Sequence, residues 1–335
     1  MRRRAARTAL LATGLLVSAL FAYLAVRDVH PGEVWHALGE CDYRWLVPAL
    51  GALAAANVLR VYRWQFLFSR ETRPPFGPLA SAMLIGQLFN NVLPARAGEA
   101  ARIVTLNQSS GTSRAETAGT VLIERAYDVL SLLLLLFVLT PWLPHVTWLR
   151  AAAILAIALS AGLVAAFAVV AVWKERPLLA VLRPLGRLPF VPEQRLERAA
   201  ANLVHGLAGL RRGRLALAAI GLTTASWIAF GISSWLVLRG FDVGRELSPA
   251  AGILVMIAIG LAMILPSSPA AVGVFEAAVL VALKAYGVPE SRALSYALVL
   301  HALNFFPYVV AGGLLLQLHA VSLRGRATKA VGSRS

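Results

Sequence analysis

Asn90-Asn91-Val-Leu-Pro94-Ala-Arg96-Ala-Gly98-Glu99-Ala-Ala-Arg102 closes an uncharged run that begins at Leu79. That run is short for a bilayer crossing, which takes roughly 20 apolar residues, and a proline stops it. Proline ends one half-helix, and glycine lets the chain turn into the next. A second interrupted stretch stands at Leu265-Pro266-Ser267-Ser268-Pro269-Ala-Ala-Val-Gly273-Val-Phe-Glu276, after the uncharged run from Ala250. In both, Leu-Pro is followed by a glycine and a glutamate. Beyond each glutamate, at nearly equal distance, comes a Ser-Arg-Ala triplet, Ser113-Arg114-Ala115 and Ser291-Arg292-Ala293. Such short motifs recur by coincidence in this composition, but three of them in one order and spacing favour an internal repeat.

The flanking sequence has the character of a membrane protein. The chain has 335 residues, 59% of them hydrophobic, and a mean hydropathy of +0.70. Ala9–Val26, Ala151–Trp173, Leu215–Leu238 and Ala250–Leu265 carry no charge. The runs are continuous rather than alternating, so they read as helices and not barrel strands. The layout is a first span at Ala9–Val26 and a second from about Trp45 to Phe68. The interrupted segment from Leu79 follows, then spans at about Ala115–Leu139 and Ala151–Trp173. The fifth span is Leu215–Leu238; after the second interrupted segment, which resumes at about Val272–Ala285, the last runs from Ala293 to His319. The expected fold is an all-α polytopic membrane protein, a single integral membrane domain over 1–335. It has about six spanning helices and two re-entrant or broken helical hairpins, with 9–139 and 149–319 as inverted halves. Short broken segments at corresponding places of inverted halves point to a transporter's binding site.

A net charge of +16 raises nucleic acid as a partner, but the positions of the charges argue against it. Arg2, Arg3, Arg4 and Arg7 precede the first span, and Arg70 and Arg73 follow the second. A basic loop occupies 174–214, and Arg324, Arg326, Lys329 and Arg334 lie in the tail, 320–335. These places fill the cytoplasmic face under the positive-inside rule, which puts both termini inside a cytoplasmic (inner) membrane. The single cysteine, Cys41, excludes an internal disulfide and a multi-cysteine metal site. No cofactor is expected. The first apolar run lacks a small-residue cleavage site after it and reads as a retained anchor.

Three groups of residues could carry function. Around Pro94, Asn90, Asn91, Arg96, Gly98, Glu99 and Arg102 stand at the start of a second half-helix, whose free N–H groups and positive dipole end favour an anion. Arg96 and Arg102 add donors suited to phosphate, and Glu99 and Arg102, three apart, can pair on one face. The bland alternative is an interfacial loop touching headgroups. Around Pro266, Ser267 and Ser268 open a helix with proline behind them, Gly273 turns the chain, and Glu276 is a lone acid among apolar residues. A capped turn without ligand is the competing reading. Glu124, Arg125 and Asp128 lie roughly 15 Å into their span, where charges face a cavity or a partner. An internal structural ion pair is the alternative. His301 and Asn304 lie at comparable depth in the last span, His301 matching Ile123 by the repeat and able to carry a proton. Arg60 and Arg63 read as inner-boundary snorkellers or as the approach for an anionic headgroup.

These motifs resemble a known family. Asn91 to Arg102, Glu124-Arg125, and Pro266 to Glu276 are similar to signatures of the lysylphosphatidylglycerol synthase transmembrane family, also called flippase-like. The likeness covers about Ala9 to His319. It implies a polytopic inner-membrane protein of lipid metabolism. In founding members this domain translocates aminoacylated phosphatidylglycerol, and relatives are linked to polyprenyl-phosphate glycan pathways. After Val321 only a short basic tail follows, where founding members carry a soluble aminoacyl-transfer domain, so aminoacyl transfer is not expected and the chain is read as a non-enzyme. Ser-Ser-Pro-Ala-Ala-Val-Gly departs from the family's Pro-Gly-x-Gly form.

The expected function is that of a lipid transporter or flippase moving an anionic phospholipid or a polyprenyl-phosphate-linked lipid. The alternatives are a membrane enzyme, which lacks an Asp-x-Asp metal pair here, and an accessory partner of envelope biosynthesis enzymes docking through the basic loop. That loop is equally suited to anionic headgroups.

Overall fold

The structure is a computed structural model that describes residues 16–27, 29–69, 71–93, 97–144, 213–241, 246–263 and 268–332, together with positions 151, 154, 158 and 162; side chains at 213, 214, 216 and 320–332 are left out. Pro94, Arg96, Pro266, Ser267, the start of the first span, most of the fourth span and nearly all of the basic loop therefore lie outside the described residues.

Ten helices follow one another through the described residues. They are α1 (Leu16–Val26), α2 (Pro31–Gly39), α3 (Leu46–Leu67), α4 (Phe76–Val92), α5 (Ala97–Ser110), α6 (Arg114–Leu139), α7 (Gly213–Arg239), α8 (Pro249–Ala262), α9 (Val274–Lys284) and α10 (Glu290–Gly332). No strand occurs among the described residues. Tyr43–Leu67, Leu217–Arg239 and Glu290–His319 are long and apolar enough to cross a membrane. The chain is a helical membrane protein. The last helix continues as helix to Gly332, past the His319 boundary that its loss of apolar character suggests.

Both interruptions are present. α4 ends at Val92, and Leu93 is extended (φ −107°, ψ 146°), as the residue before a proline is pushed to be. α5 resumes at Ala97 and lies along α4. In the second interruption the helix does not restart at the Ser-Pro pair. Pro269–Ala271 form a single tight turn, and Ala270 and Ala271 take positive φ (56° and 58°). α9 begins only at Val274, behind Gly273 at φ 86°. Left-handed backbone costs an alanine roughly 1–2 kcal/mol, so the surroundings must hold this loop in place.

The helices face their surroundings as membrane helices do. α6 turns Thr117, Thr120, Glu124, Asp128 and Ser131 inward and leaves Leu122, Leu134 and Phe137 exposed. The same arrangement leaves Phe306, Val310, Leu314 and Leu318 of α10 exposed. A water-soluble helix has the opposite polarity; here the apolar stripe has lipid to face. α3 packs along α7 through Ala49, Leu53 and Ala56, and the small alanines let the backbones approach. Ser233 on α7 accordingly donates to the Ala49 carbonyl at 2.8 Å. α4 packs on α10, α8 packs on α6, and the Pro269–Ala271 turn touches α4.

Candidate functional site

The buried charges of α6 meet charges from two other helices, α3 and α5, and an indole N–H from α7. Glu124 receives Arg102 of α5 in a two-pronged bond, Nη1 to Oε1 at 3.0 Å and Nη2 to Oε2 at 2.6 Å. Arg63 of α3 approaches Glu124 Oε1 at 2.8 Å and donates to Asp128 Oδ1 at 2.6 Å. Trp227 of α7 donates its indole N–H to the same Asp128 oxygen at 3.2 Å. Arg125 lies 3.4 Å from Glu99, 3.5 Å from Glu124 and 3.5 Å from Asp128. Arg60 stands farther off, 4.0 Å from Asp128, with its guanidinium over the Trp227 and Phe230 rings. Arg102 stacks on Trp64, 3.4 Å from the ring centre, and Trp64 is held by its own bond to Thr120.

Two pairings differ from those expected of the sequence. Glu99 and Arg102 do not pair with each other. Arg102 turns to Glu124 and Glu99 to Arg125, because the packed α6 offers each a partner across the helix contact. Arg63 is not a boundary snorkeller. It is fully buried, since two carboxylates on α6 wait for it. Such a charge is tolerated inside only with partners of this kind.

A small cavity of about 20 Å³ opens beside this network, lined by Arg60, Gln87, Asn90, Glu99, Arg102 and Arg125 among others. Asn90 reaches across the interruption and accepts the Gly98 N–H at 2.9 Å, which caps α5. Four guanidinium groups stand against three carboxylates (Glu99, Glu124, Asp128), leaving one positive charge in excess among the described residues. The Nε atoms of all four arginines, Arg60, Arg63, Arg102 and Arg125, are buried and find no hydrogen-bond acceptor among the described residues, and all but Arg63 line the cavity. Buried donors of that kind normally have a partner.

The second interruption gathers its own residues elsewhere. Glu276 Oε2 accepts the Gly273 N–H at 2.6 Å, capping α9, and Glu276 Oε1 lies 2.5 Å from His301 Nδ1. His301 is thus joined to Glu276. The repeat aligns positions in sequence, but the Glu276 carboxylate is what lies within reach of the ring. Ser268 is held by Ser18 of α1, whose hydroxyl accepts its N–H at 2.8 Å. Asn91 lies at 3.5 Å from the Phe305 carbonyl of α10. Among the described residues, Asn304 bonds only to Leu300 on its own helix and belongs to neither group. Thr120, Trp64, Trp227 and Thr223, which lies 3.4 Å from Arg63, escaped the sequence reading. A tryptophan or threonine in an apolar run gives no signal until the helices are placed.

The model of the lysylphosphatidylglycerol synthase TM region matches residues 11–312. The chain is 28% identical to a protein named glycosyltransferase AglD from Haloferax volcanii over a 360-residue alignment. That alignment covers 95% of this chain and 56% of AglD, so the chain spans little more than half of that relative's length. A UPF0104 membrane protein of Methanothermobacter thermautotrophicus is 26% identical, with 91% of each chain covered. Another from Methanocaldococcus jannaschii is 22% identical over 69% of this chain and 93% of its own.

Proposed function

The chain belongs to the lysylphosphatidylglycerol synthase TM family, and from that premise we propose that it moves an anionic lipid between the leaflets of the cytoplasmic membrane, holding the lipid's phosphate at the first interrupted segment. One observation carries this reading. A surplus guanidinium charge, with three buried Nε donors that have no acceptor among the described residues, lines a cavity at the start of α5. Arginine donors beside a helix N-terminus suit a phosphate. The cavity has room for about one water, so a headgroup enters only when α4 and α5 move relative to α6. Support for such rocking comes from the exchange of partners: α4 packs on α10, and α8 on α6. Two halves related by an axis in the membrane plane would produce that cross-pairing.

A phospholipid headgroup and a polyprenyl phosphate offer the same chemistry. Binding measured as thermal stabilisation of purified protein separates them, with phosphatidylglycerol, a polyprenyl phosphate, inorganic phosphate and phosphatidylcholine as arms. The reading expects stabilisation by one or both anionic lipids and none by phosphatidylcholine. Arg102→Gln should weaken it roughly 10- to 100-fold, the worth of a charged hydrogen bond of about 1.5–3 kcal/mol. Equal stabilisation by phosphatidylcholine, or full retention in Arg102→Gln, would sink it.

A second reading rests on the likeness to the protein named glycosyltransferase AglD. In it the chain is an enzyme or an accessory subunit of polyprenyl-phosphate-dependent glycan or lipid biosynthesis, binding the same lipid phosphate without moving it. Lipid binding without leaflet exchange would favour this second reading.

A further inference from the structure

His301 has a hydrogen-bond acceptor at each ring nitrogen. Nδ1 lies 2.5 Å from Glu276 Oε1, and Nε2 lies 3.1 Å from the carbonyl of Ala270. A backbone carbonyl has no hydrogen to give, so the bond at Nε2 requires a proton on that nitrogen. A carboxylate oxygen and a ring nitrogen at 2.5 Å likewise need a proton between them, since two lone pairs would repel. The three groups thus hold two protons. Phe275 stacks on the ring with centroids 4.4 Å apart, an arrangement that favours a cationic ring.

We propose that His301, Glu276 and the Ala270 carbonyl form a proton-binding site, and that the second of its two protons fastens the Ser268–Gly273 loop to α10. The reading goes beyond lipid movement and does not depend on it. Loss of that proton leaves one ring nitrogen bare, so one of the two bonds breaks. Both bonds tie the loop to α10, one at the Ala270 carbonyl and one through Glu276, which also holds the Gly273 N–H, and that loop has left-handed backbone at Ala270, Ala271 and Gly273, conformations that alanine keeps only under restraint. The loop also lies against α1 through Ser18 and against α4. Its release therefore reaches the helix that ends at the first interruption.

Glu276 is the one charged side chain bonded to the ring among the described residues. α1, α4 and α8 carry none, and α1's one titratable group, Tyr23, is largely exposed. Lys284 of α9 is paired with Glu290 at the far end of that helix. On α10, Tyr296 is bonded to Ser234 and Tyr308 to Asn57. α2 brings its His30 backbone N–H to Ser291, ten residues from His301, and Arg239 of α7 stacks on Trp45 and Trp235.

Nitrogen NMR of histidine-labelled protein in lipid nanodiscs reads the site directly. The His301 signal is identified by its loss in His301→Gln or its displacement in Glu276→Gln. Both ring nitrogens should read as protonated wherever position 271 is protected, with one proton lost where it becomes reactive. Alongside, Ala271→Cys in a Cys41→Ser background is labelled with a maleimide, and Val272→Cys, at an exposed position, corrects for thiol ionisation. Corrected labelling at position 271 should rise at least tenfold across the titration in which that proton is lost, and should be fast throughout when His301→Gln is added. A bare ring nitrogen on His301 while position 271 is protected, or flat corrected labelling across the titration, overturns the proposal.

Discussion

Glu124→Gln is expected to destabilise the protein by roughly 3–5 kcal/mol, the cost of leaving a buried charge without its partner. Glu124 is almost wholly buried and binds Arg102 with both oxygens while facing Arg63 with one. Removing its charge strands Arg102 between Trp64 and α6, because Asp128 and Glu99 are engaged by Arg63 and Arg125. Unfolding in mixed micelles, followed by tryptophan fluorescence, measures the loss. Arg102→Gln added to Glu124→Gln should restore part of it, since the double change removes both members of the pair. The coupling in that double-mutant cycle isolates the Arg102–Glu124 term. Additive losses would show that the two side chains act independently, contrary to the geometry.

Gly98→Val is expected to cost about 2–3 kcal/mol and to abolish anionic-lipid binding. A Cβ at Gly98 would strike the carbonyl of Gly86 and the side chain of Asn90. The Gly86 carbonyl is backbone and cannot swing aside, so α5 must move off α4. That movement breaks the Gly98 N–H bond to Asn90 and carries Arg102 away from Glu124. Gly51→Ala is the control. A Cβ there meets nothing within 4 Å, so binding should stay unchanged. Normal binding by a folded Gly98→Val protein would separate the α4–α5 contact from the site.

The membrane class, the position of both interruptions and the acids of α6 were legible in sequence, for physical reasons. A continuous apolar run and a proline leave signatures that no tertiary contact rewrites. Arg60 and Arg63 were not legible, because an arginine near a span end reads the same whether it reaches headgroups or a carboxylate. The informative signal was arithmetic: α3 carries two arginines and no acid, whereas α6 carries Glu124 and Asp128 one turn apart. Charges that cannot be matched on their own helix must be matched on another. The partner of His301 was not legible either, because a repeat aligns positions and not contacts, and Glu276 stands at the cap of the preceding helix. Nor could Ser268-Pro269 announce left-handed alanines behind it, since alanine offers no local reason to adopt that backbone.

Leaflet exchange of labelled lipids in proteoliposomes tests the central claim most directly. The expected result is exchange of phosphatidylglycerol or a polyprenyl phosphate well above protein-free vesicles, little exchange of phosphatidylcholine, and loss of the anionic exchange in a folded Arg102→Gln protein. No exchange of any anionic lipid above the protein-free rate, from protein that still binds it, would contradict translocation.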